Sequence, residues 1–263
     1  MDLGLNNKIA LVTAASQGLG KATALSIANE GAKVIICSRD EKKISKSAKE
    51  IKKQTGSEVS FFQADLSDKE DINKMVEDII KKHGRIDVLV NNTGGPKAGF
   101  FDEISDDDWI STFESTFLSA VRLTRAVLPS MRRNKWGRII NISSVSAKQP
   151  IDNLMLSNGV RMSVHGWAKT LSNQIASENI LINNVCPGFT KTERVEDLVS
   201  IQAKELNVSE EQVVDTISSN IPIKRVGKPE ELADLVTFLA SEKSSYITGQ
   251  SIAVDGGVSS LPI

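Results

Sequence analysis

Residues 8–20 read Lys8-Ile-Ala-Leu-Val-Thr13-Ala-Ala-Ser-Gln-Gly18-Leu-Gly20. An apolar, β-branched run stops at a hydroxyl and passes through paired glycines into a helical pattern. Glycine at a strand-to-helix turn lets the backbone approach a diphosphate. That group then rests on the free N–H groups and positive dipole end of the helix. Alone, Gly18-x-Gly20 also fits an ordinary turn. Placed after a first strand, with another apolar run at Val34–Cys37, it reads as the opening of a dinucleotide-binding βαβ unit.

Working outward, short β-branched runs recur at Ile9–Thr13, Val34–Cys37, Val59–Gln63, Val88–Asn91, Arg138–Ile142, Leu181–Val185 and Ser251–Val254. Amphipathic stretches lie between them, such as Asp71–His83 and Trp109–Met131. The alternation predicts a parallel sheet with helices on both faces. Near-continuous apolar strands agree, because both faces of such a sheet are covered. Ser105 is a good N-cap, and Asp106, Asp107 and Asp108 suit the positive end of the helix that follows. No repeat, linker or low-complexity segment interrupts residues 1–263, which read as a single domain.

The formal net charge is −1, with acids and bases interspersed. That argues against nucleic acid or an anionic membrane as partner. Cys37 and Cys186 each end an apolar run, which predicts buried free thiols rather than a disulfide or metal pair. No apolar run approaches the ~18 residues of a membrane span. Met1 leads into the first strand with no basic, apolar leader, so a cytoplasmic location is expected.

Over essentially its full length the chain resembles the short-chain dehydrogenase/reductases, with β-ketoacyl-carrier-protein reductases and their divergent relatives as the nearest look-alikes. The family's Thr-Gly-x-x-x-Gly-x-Gly appears as Thr13 to Gly20 with Ala14 at the first glycine, and Asn-Asn-Ala-Gly appears as Asn91-Asn92-Thr93-Gly94. Asp65-Leu66 matches the adenine-contacting position. Pro187-Gly188 matches the turn after the sixth strand, with Thr190 and Thr192 where the family contacts the carboxamide. Arg225-x-Gly-x-Pro-Glu-Glu231 and Ile247-Thr-Gly249 to Asp255-Gly-Gly257 complete the pattern. The resemblance implies a Rossmann-type, doubly wound, mostly parallel seven-stranded sheet. It also implies a cofactor site drawn from Thr13, Ala15, Ser16, Gln17, Gly18, Leu19, Gly20, Asp65, Leu66, Asn92, Gly94, Pro187, Gly188, Thr190 and Thr192. A homotetramer built on the long helices is a further implication. At the end of the second strand stand Ser38-Arg39 rather than an acid. A hydroxyl beside a guanidinium suits a 2′-phosphate, so NADP(H) is expected over NAD(H).

The resemblance also exposes a departure. Aligned on Gly137-Arg-Ile-Ile-Asn-Ile-Ser-Ser144, the family's carbonyl-orienting serine is Ser144, but its Tyr-x-x-x-Lys is Ser157-Asn-Gly-Val-Arg161. The helix asparagine is Thr116, and the single tyrosine, Tyr246, lies far along the chain. The catalytic candidates are therefore Ser144, Ser157 and Arg161. A serine hydroxyl starts with a far higher pKa than a phenol and is shorter by a ring. Arg161 keeps the charge and can hold ribose hydroxyls, but it cannot relay a proton at neutral pH. His165 shares a helical face with Ser157 and Arg161, two turns beyond the substrate position, and a structural or interface role is expected. His83 beside Gly84 reads as a helix-end dipole partner, and Lys148 and Asp152 read as solvated loop charges.

Residues 190–223, with helical patterning at Val195–Leu206 and Gln212–Ile217, match the family's substrate lid. The leading expectation is an NADP(H)-dependent oxidoreductase acting on a small-molecule carbonyl or hydroxyl substrate through an altered proton-donor site. Two alternatives remain open: a catalytically silent NADP(H)-binding sensor, and a reductase of an activated C=C bond. Dienoyl-CoA reductases also place serine at the tyrosine position, but they keep the lysine.

Overall fold

The computed structural model describes residues 1–260. Seven strands form one sheet: β1 (Ile9–Val12), β2 (Lys33–Ser38), β3 (Val59–Gln63), β4 (Val88–Asn91), β5 (Gly137–Ile142), β6 (Ile180–Pro187) and β7 (Ser251–Val254). Their order is β3-β2-β1-β4-β5-β6-β7, and every neighbouring pair is parallel. The sheet is thus wholly rather than mostly parallel. The strand order reverses between β1 and β4, and in open α/β sheets the ligand crevice lies beyond the strand ends at that switch point.

Alternating side chains feed separate cores. Ala10 and Val12 face α1 (Gly18–Asn29), α2 (Glu41–Thr55) and α9 (Pro229–Leu239) through Ile27, Ile51 and Val236. Ile9 and Leu11 face α3 (Lys69–His83), α5 (Ser119–Asn134) and α6 (Met155–Ile175) through Val76, Val127 and Ile175. The period-2 alternation of a strand serves both layers at once.

The stretch read as one long helix is divided. Between α4 (Asp106–Thr112) and α5 lies a π-helical turn, Phe113–Leu118. Ser119 Oγ donates back to Ser115 O at 2.6 Å, and back-bonding hydroxyls of this kind bend helices. Phe117 seats edge-on against Trp167 of α6, ring centroids 6.2 Å apart. The expected cap holds: Ser105 Oγ accepts from Asp108 N, while the Asp108 carboxylate accepts from Ser105 N. Beyond β6, α7 (Glu193–Leu206) and α8 (Glu210–Asn220) pack on each other through Val199, Ala203 and Val213.

Candidate active site

The β1–α1 loop is built around residues that leave no slack. Thr13 is buried, with Oγ1 donating to Asn92 O (2.7 Å) and accepting from Asn92 N (2.8 Å), so it ties β1 to β4. Ala15 is also buried; its amide donates to Cys37 O and its carbonyl accepts from Ser47 Oγ. These two candidates shape the loop from beneath, while Ser16, Gln17, Gly18 and Leu19 are half-exposed. Asn92 Nδ2 donates to Thr13 O and Ala14 O. At Gly20 a Cβ would fall 2.6 Å from Ala14 O and 2.7 Å from Asn92 Nδ2, which only glycine tolerates. Gly18 has φ +56° and Ala14 has φ +46°. The left-handed conformation of Ala14 explains why the family pattern has glycine there.

These features fit a dinucleotide. Gln17 makes no side-chain cap, and the first turn of α1 holds no acid. The leading N–H groups of α1 therefore receive no capping bond from Gln17, the open arrangement an anion can occupy. Thr192 lies beside Gly18, its Cγ2 3.6 Å from where a Cβ would stand. Thr190 is buried, Leu66 belongs to the core, and Pro187 and Gly188 are half-buried. Gly94 is exposed, with open space where a Cβ would go. Toward the adenosine end, Ser38 Oγ donates to Asp40 O, and the Arg39 side chain is exposed. Burial raises the Asp65 pKa, but hydrogen bonds from Ser67 and the Arg39 charge outweigh it and hold the carboxyl below its usual range. Arg39 and Asp65 thus share the mouth of the expected adenosine pocket.

Ser144, at the end of β5, accepts from Ser146 N at 3.0 Å through its Oγ, which leaves its own proton free to donate. Ser157 does not face Ser144. It is buried and shares a hydrogen bond of 2.8 Å with Ser146 Oγ. Arg161 is buried, with Nη1 donating to Ser143 O (2.9 Å) and Ile142 O (3.1 Å). Burial and then the charge of Arg194 push its pKa down to about 10, so it stays protonated at neutral pH. A small cavity of about 10 Å³, with Arg161, Thr116 and Asn91 in its wall, adjoins the guanidinium, room for roughly one water. Arg161 Nε and Asn91 Oδ1 are buried there without a protein partner.

His165 Nε2 meets Ser143 Oγ at 2.8 Å and Cys186 Sγ at 3.6 Å, so it braces the residue before Ser144 rather than the reaction position. Burial, then the Lys148 and Arg161 charges, push it down to about 4. Burial raises the Cys186 thiol to about 11 and Cys37 to about 12; both are free. His83 is the last residue of α3, followed by left-handed Gly84. Asp152 is exposed, whereas Lys148 is half-buried and its charge reaches His165.

Sequence reasoning overlooked Ser146, Asn91 and Arg194. Arg194 carried a signal, since it stands in the first turn of α7, where a cation opposes the helix dipole. Asn91 stood in the matched Asn91-Asn92-Thr93-Gly94 motif without being singled out, and Ser146 carried no signal, because its bond to Ser157 depends on the approach of α6.

Comparison with known proteins places this geometry. Residues 13–259 match the family model described as enoyl-(acyl carrier protein) reductase. The chain is 35% identical over 254 residues to 3-oxoacyl-[acyl-carrier-protein] reductase FabG of Thermotoga maritima, covering 97% of this chain and 98% of that protein. It is 36% identical over 255 residues to the NADPH-dependent reductase BacG of Bacillus subtilis, covering 96% and 98%. The solved structure of L-sorbose reductase from Gluconobacter frateurii, complexed with NADPH and L-sorbose, superposes with a TM-score of 0.95 at 31% identity, covering 99% of this chain and 100% of that one.

Proposed function

The chain belongs to the short-chain dehydrogenase/reductase family, and from that membership we propose that it is an NADP(H)-dependent oxidoreductase reducing a carbonyl on a small molecule, with a rebuilt proton-donor site. The observation that carries this reading is the uncapped α1 N-terminus beneath a loop with no room for a Cβ at Gly20. Relatives named as NADPH-dependent, and Ser38-Arg39 where an acid would favour NAD(H), support the cofactor choice. Thr13, Ala15 and Asn92 hold the loop. Ser16, Gln17, Gly18, Leu19 and Gly20 receive the diphosphate, Arg39 the 2′-phosphate, and Asp65 with Leu66 the adenine. Gly94, Pro187, Gly188, Thr190 and Thr192 frame the nicotinamide end.

NADPH, when bound, would supply the hydride for the carbonyl carbon and become NADP⁺, with the oxygen taking up a proton. Ser144 donates a hydrogen bond to that oxygen, and Arg161 holds the ribose hydroxyls and keeps positive charge beside the developing alkoxide. Ser157 is committed to Ser146, so the proton comes from water. General acid catalysis is worth about 3–5 kcal/mol and orientation about 7–11 kcal/mol. Loss of the phenol therefore slows hydride transfer without abolishing it.

Residues 1–263 act as one domain, and α7 with α8 form a lid over residues 190–223. Exposed Ile110, Phe113 and Met162 support a homotetramer on the long helices, which light scattering tests. No helix among the described residues is long and apolar enough to cross a membrane, in keeping with a proposed cytoplasmic site of action. Calorimetric titration tests the core reading. NADPH should bind at least tenfold tighter than NADH; no binding of either sinks it. Binding without turnover of ketones or enones leaves the sensor alternative.

A further inference from the structure

One row of the sheet carries an unbroken line of polar side chains. Asn91 of β4, Asn141 of β5, Asn184 of β6 and Ser251 of β7 are cross-strand partners in register. Asn91 Nδ2 donates to Asn141 Oδ1 at 2.8 Å, Asn141 Nδ2 to Asn184 Oδ1 at 2.8 Å, and Asn184 Nδ2 to Ser251 Oγ at 2.9 Å. The asparagines are buried, and each amide donates in the same direction. A directed ladder leaves one acceptor over at its end. That acceptor is Asn91 Oδ1, buried and without a partner among the described residues.

Arg161 meets the same small cavity from α6. Its Nη1 is taken up by Ser143 O and Ile142 O, and its Nε is a buried donor without a partner among the described residues. Asn91 is 5% exposed and Arg161 8%, so bulk water reaches neither freely. Both stand in the wall of the cavity of about 10 Å³, together with Thr116. Buried polar atoms are costly unless hydrogen-bonded. The pairing of one donor with one acceptor decides what fits between them. An anion would meet the Asn91 carbonyl oxygen, a cation would meet the guanidinium, and an apolar group would satisfy neither. A small neutral molecule that both accepts and donates suits the pair, and this volume, about one probe sphere, admits a single water.

We propose that one buried water occupies this cavity, accepting from Arg161 Nε and donating to Asn91 Oδ1, and that Asn91 is thereby a positioning residue for Arg161. With Nη1 held by the β5 carbonyls and Nε by the water, the guanidinium plane is fixed at two points. Nη2 is left for the ribose hydroxyls. An arginine side chain gives up much rotamer freedom when ordered, so a plane set in advance removes that cost from cofactor binding. The ladder holds Asn91 in turn, which refers the orientation of Arg161 to the sheet itself, out to β7. The water orients the arginine and does not deliver the proton. The inference rests on the reading above of Arg161 as the group that holds the ribose.

A high-resolution crystal structure tests the water without reference to activity. One density peak should lie about 2.7–3.2 Å from both Arg161 Nε and Asn91 Oδ1; an empty cavity, or a direct bond between the two side chains, overturns the proposal. Calorimetric titration with NADPH tests the positioning. Asn91→Leu keeps the volume and removes the acceptor, and should weaken NADPH binding about tenfold or more. Asn91→Ser returns a hydroxyl and should recover part of that loss. Ser251→Ala breaks the ladder at its far end, and should lower Tm while shifting the Kd by less than about twofold, which separates positioning from stability alone. Equal weakening by Ser251→Ala, or unchanged affinity in a folded Asn91→Leu protein, refutes the role of Asn91. So does a solvent deuterium isotope effect on carbonyl reduction that changes in Asn91→Ser at constant NADPH affinity, which would make the water a proton donor. The density peak decides the water even where Asn91→Leu does not fold. Failure of the parent protein to bind NADPH would refute the cofactor reading and the role of Asn91 with it, while the peak would still establish the water site.

Discussion

Replacing Gly20 by alanine tests whether the β1–α1 loop is as tightly built as its contacts imply. Gly20 is the third residue of α1, and by helix propensity alone the change should stabilise by about 1 kcal/mol. The contacts reverse that sign. The added methyl would meet Ala14 O at 2.6 Å, Asn92 Nδ2 at 2.7 Å and Ala15 Cα at 2.9 Å. Two of these are backbone atoms, and Asn92 is itself held by Thr13 O and Ala14 O, so none can swing aside. Overpacking of this kind costs about 1–3 kcal/mol, which leaves a net loss of roughly 1 kcal/mol and lowers Tm by about 2–4 °C. The shift also moves the leading N–H groups of α1, so NADPH affinity should fall at least tenfold, about 1.4 kcal/mol. Thermal unfolding and calorimetry read both numbers. A Gly20→Ala protein as stable as its parent, with unchanged NADPH affinity, would refute both the packing argument and the cradle.

Ala14→Gly runs the other way: the left-handed backbone at φ +46° costs an L-residue about 1–2 kcal/mol, more than the entropy glycine adds to the unfolded chain. Its Tm should rise by about 1–3 °C, and a fall would remove the strain argument. Ser144→Ala should lower kcat about 10²–10³-fold, whereas Ser157→Ala, which loses only the bond to Ser146 Oγ, should change it less than fivefold; reversal of that order reassigns the proton donor. Ser157→Tyr with Arg161→Lys should raise carbonyl reduction about 10²-fold or more, and no gain argues against descent from an ordinary reductase. His165 is held neutral in the folded state, with its pKa lowered to about 4 from 6.5, so the unfolded chain binds more protons between those values. Stability should be full above about pH 6.5 and decline toward pH 4, and His165→Asn should flatten that decline in urea midpoints across the range.

Much of the architecture was legible before any coordinates. The seven apolar runs coincide with β1–β7 to within a few residues at each end, because strands covered on both faces are rich in apolar, β-branched residues. Ser105 and Asp108 announced the start of α4, since caps are satisfied within a few residues of sequence. The paired glycines announced the tight β1–α1 turn for the same local reason.

The catalytic region divides differently. The sequence, set beside the family it resembles, has Ser157 and Arg161 where that family's pattern expects tyrosine and lysine, and it says what those side chains can do chemically. It did not show that Ser157 turns to Ser146, or that Arg161 turns to the carbonyls of residues 142 and 143. Nor did it show that Arg194 crosses 98 residues of chain to reach Pro96. Each of these depends on the approach of separate elements, which hydrophobic packing of the whole sheet sets and no local pattern encodes. Strand periodicity, caps and turn glycines are short-range constraints, so a single sequence carries them. Hydrogen-bond partners are long-range, and only the folded chain decides them.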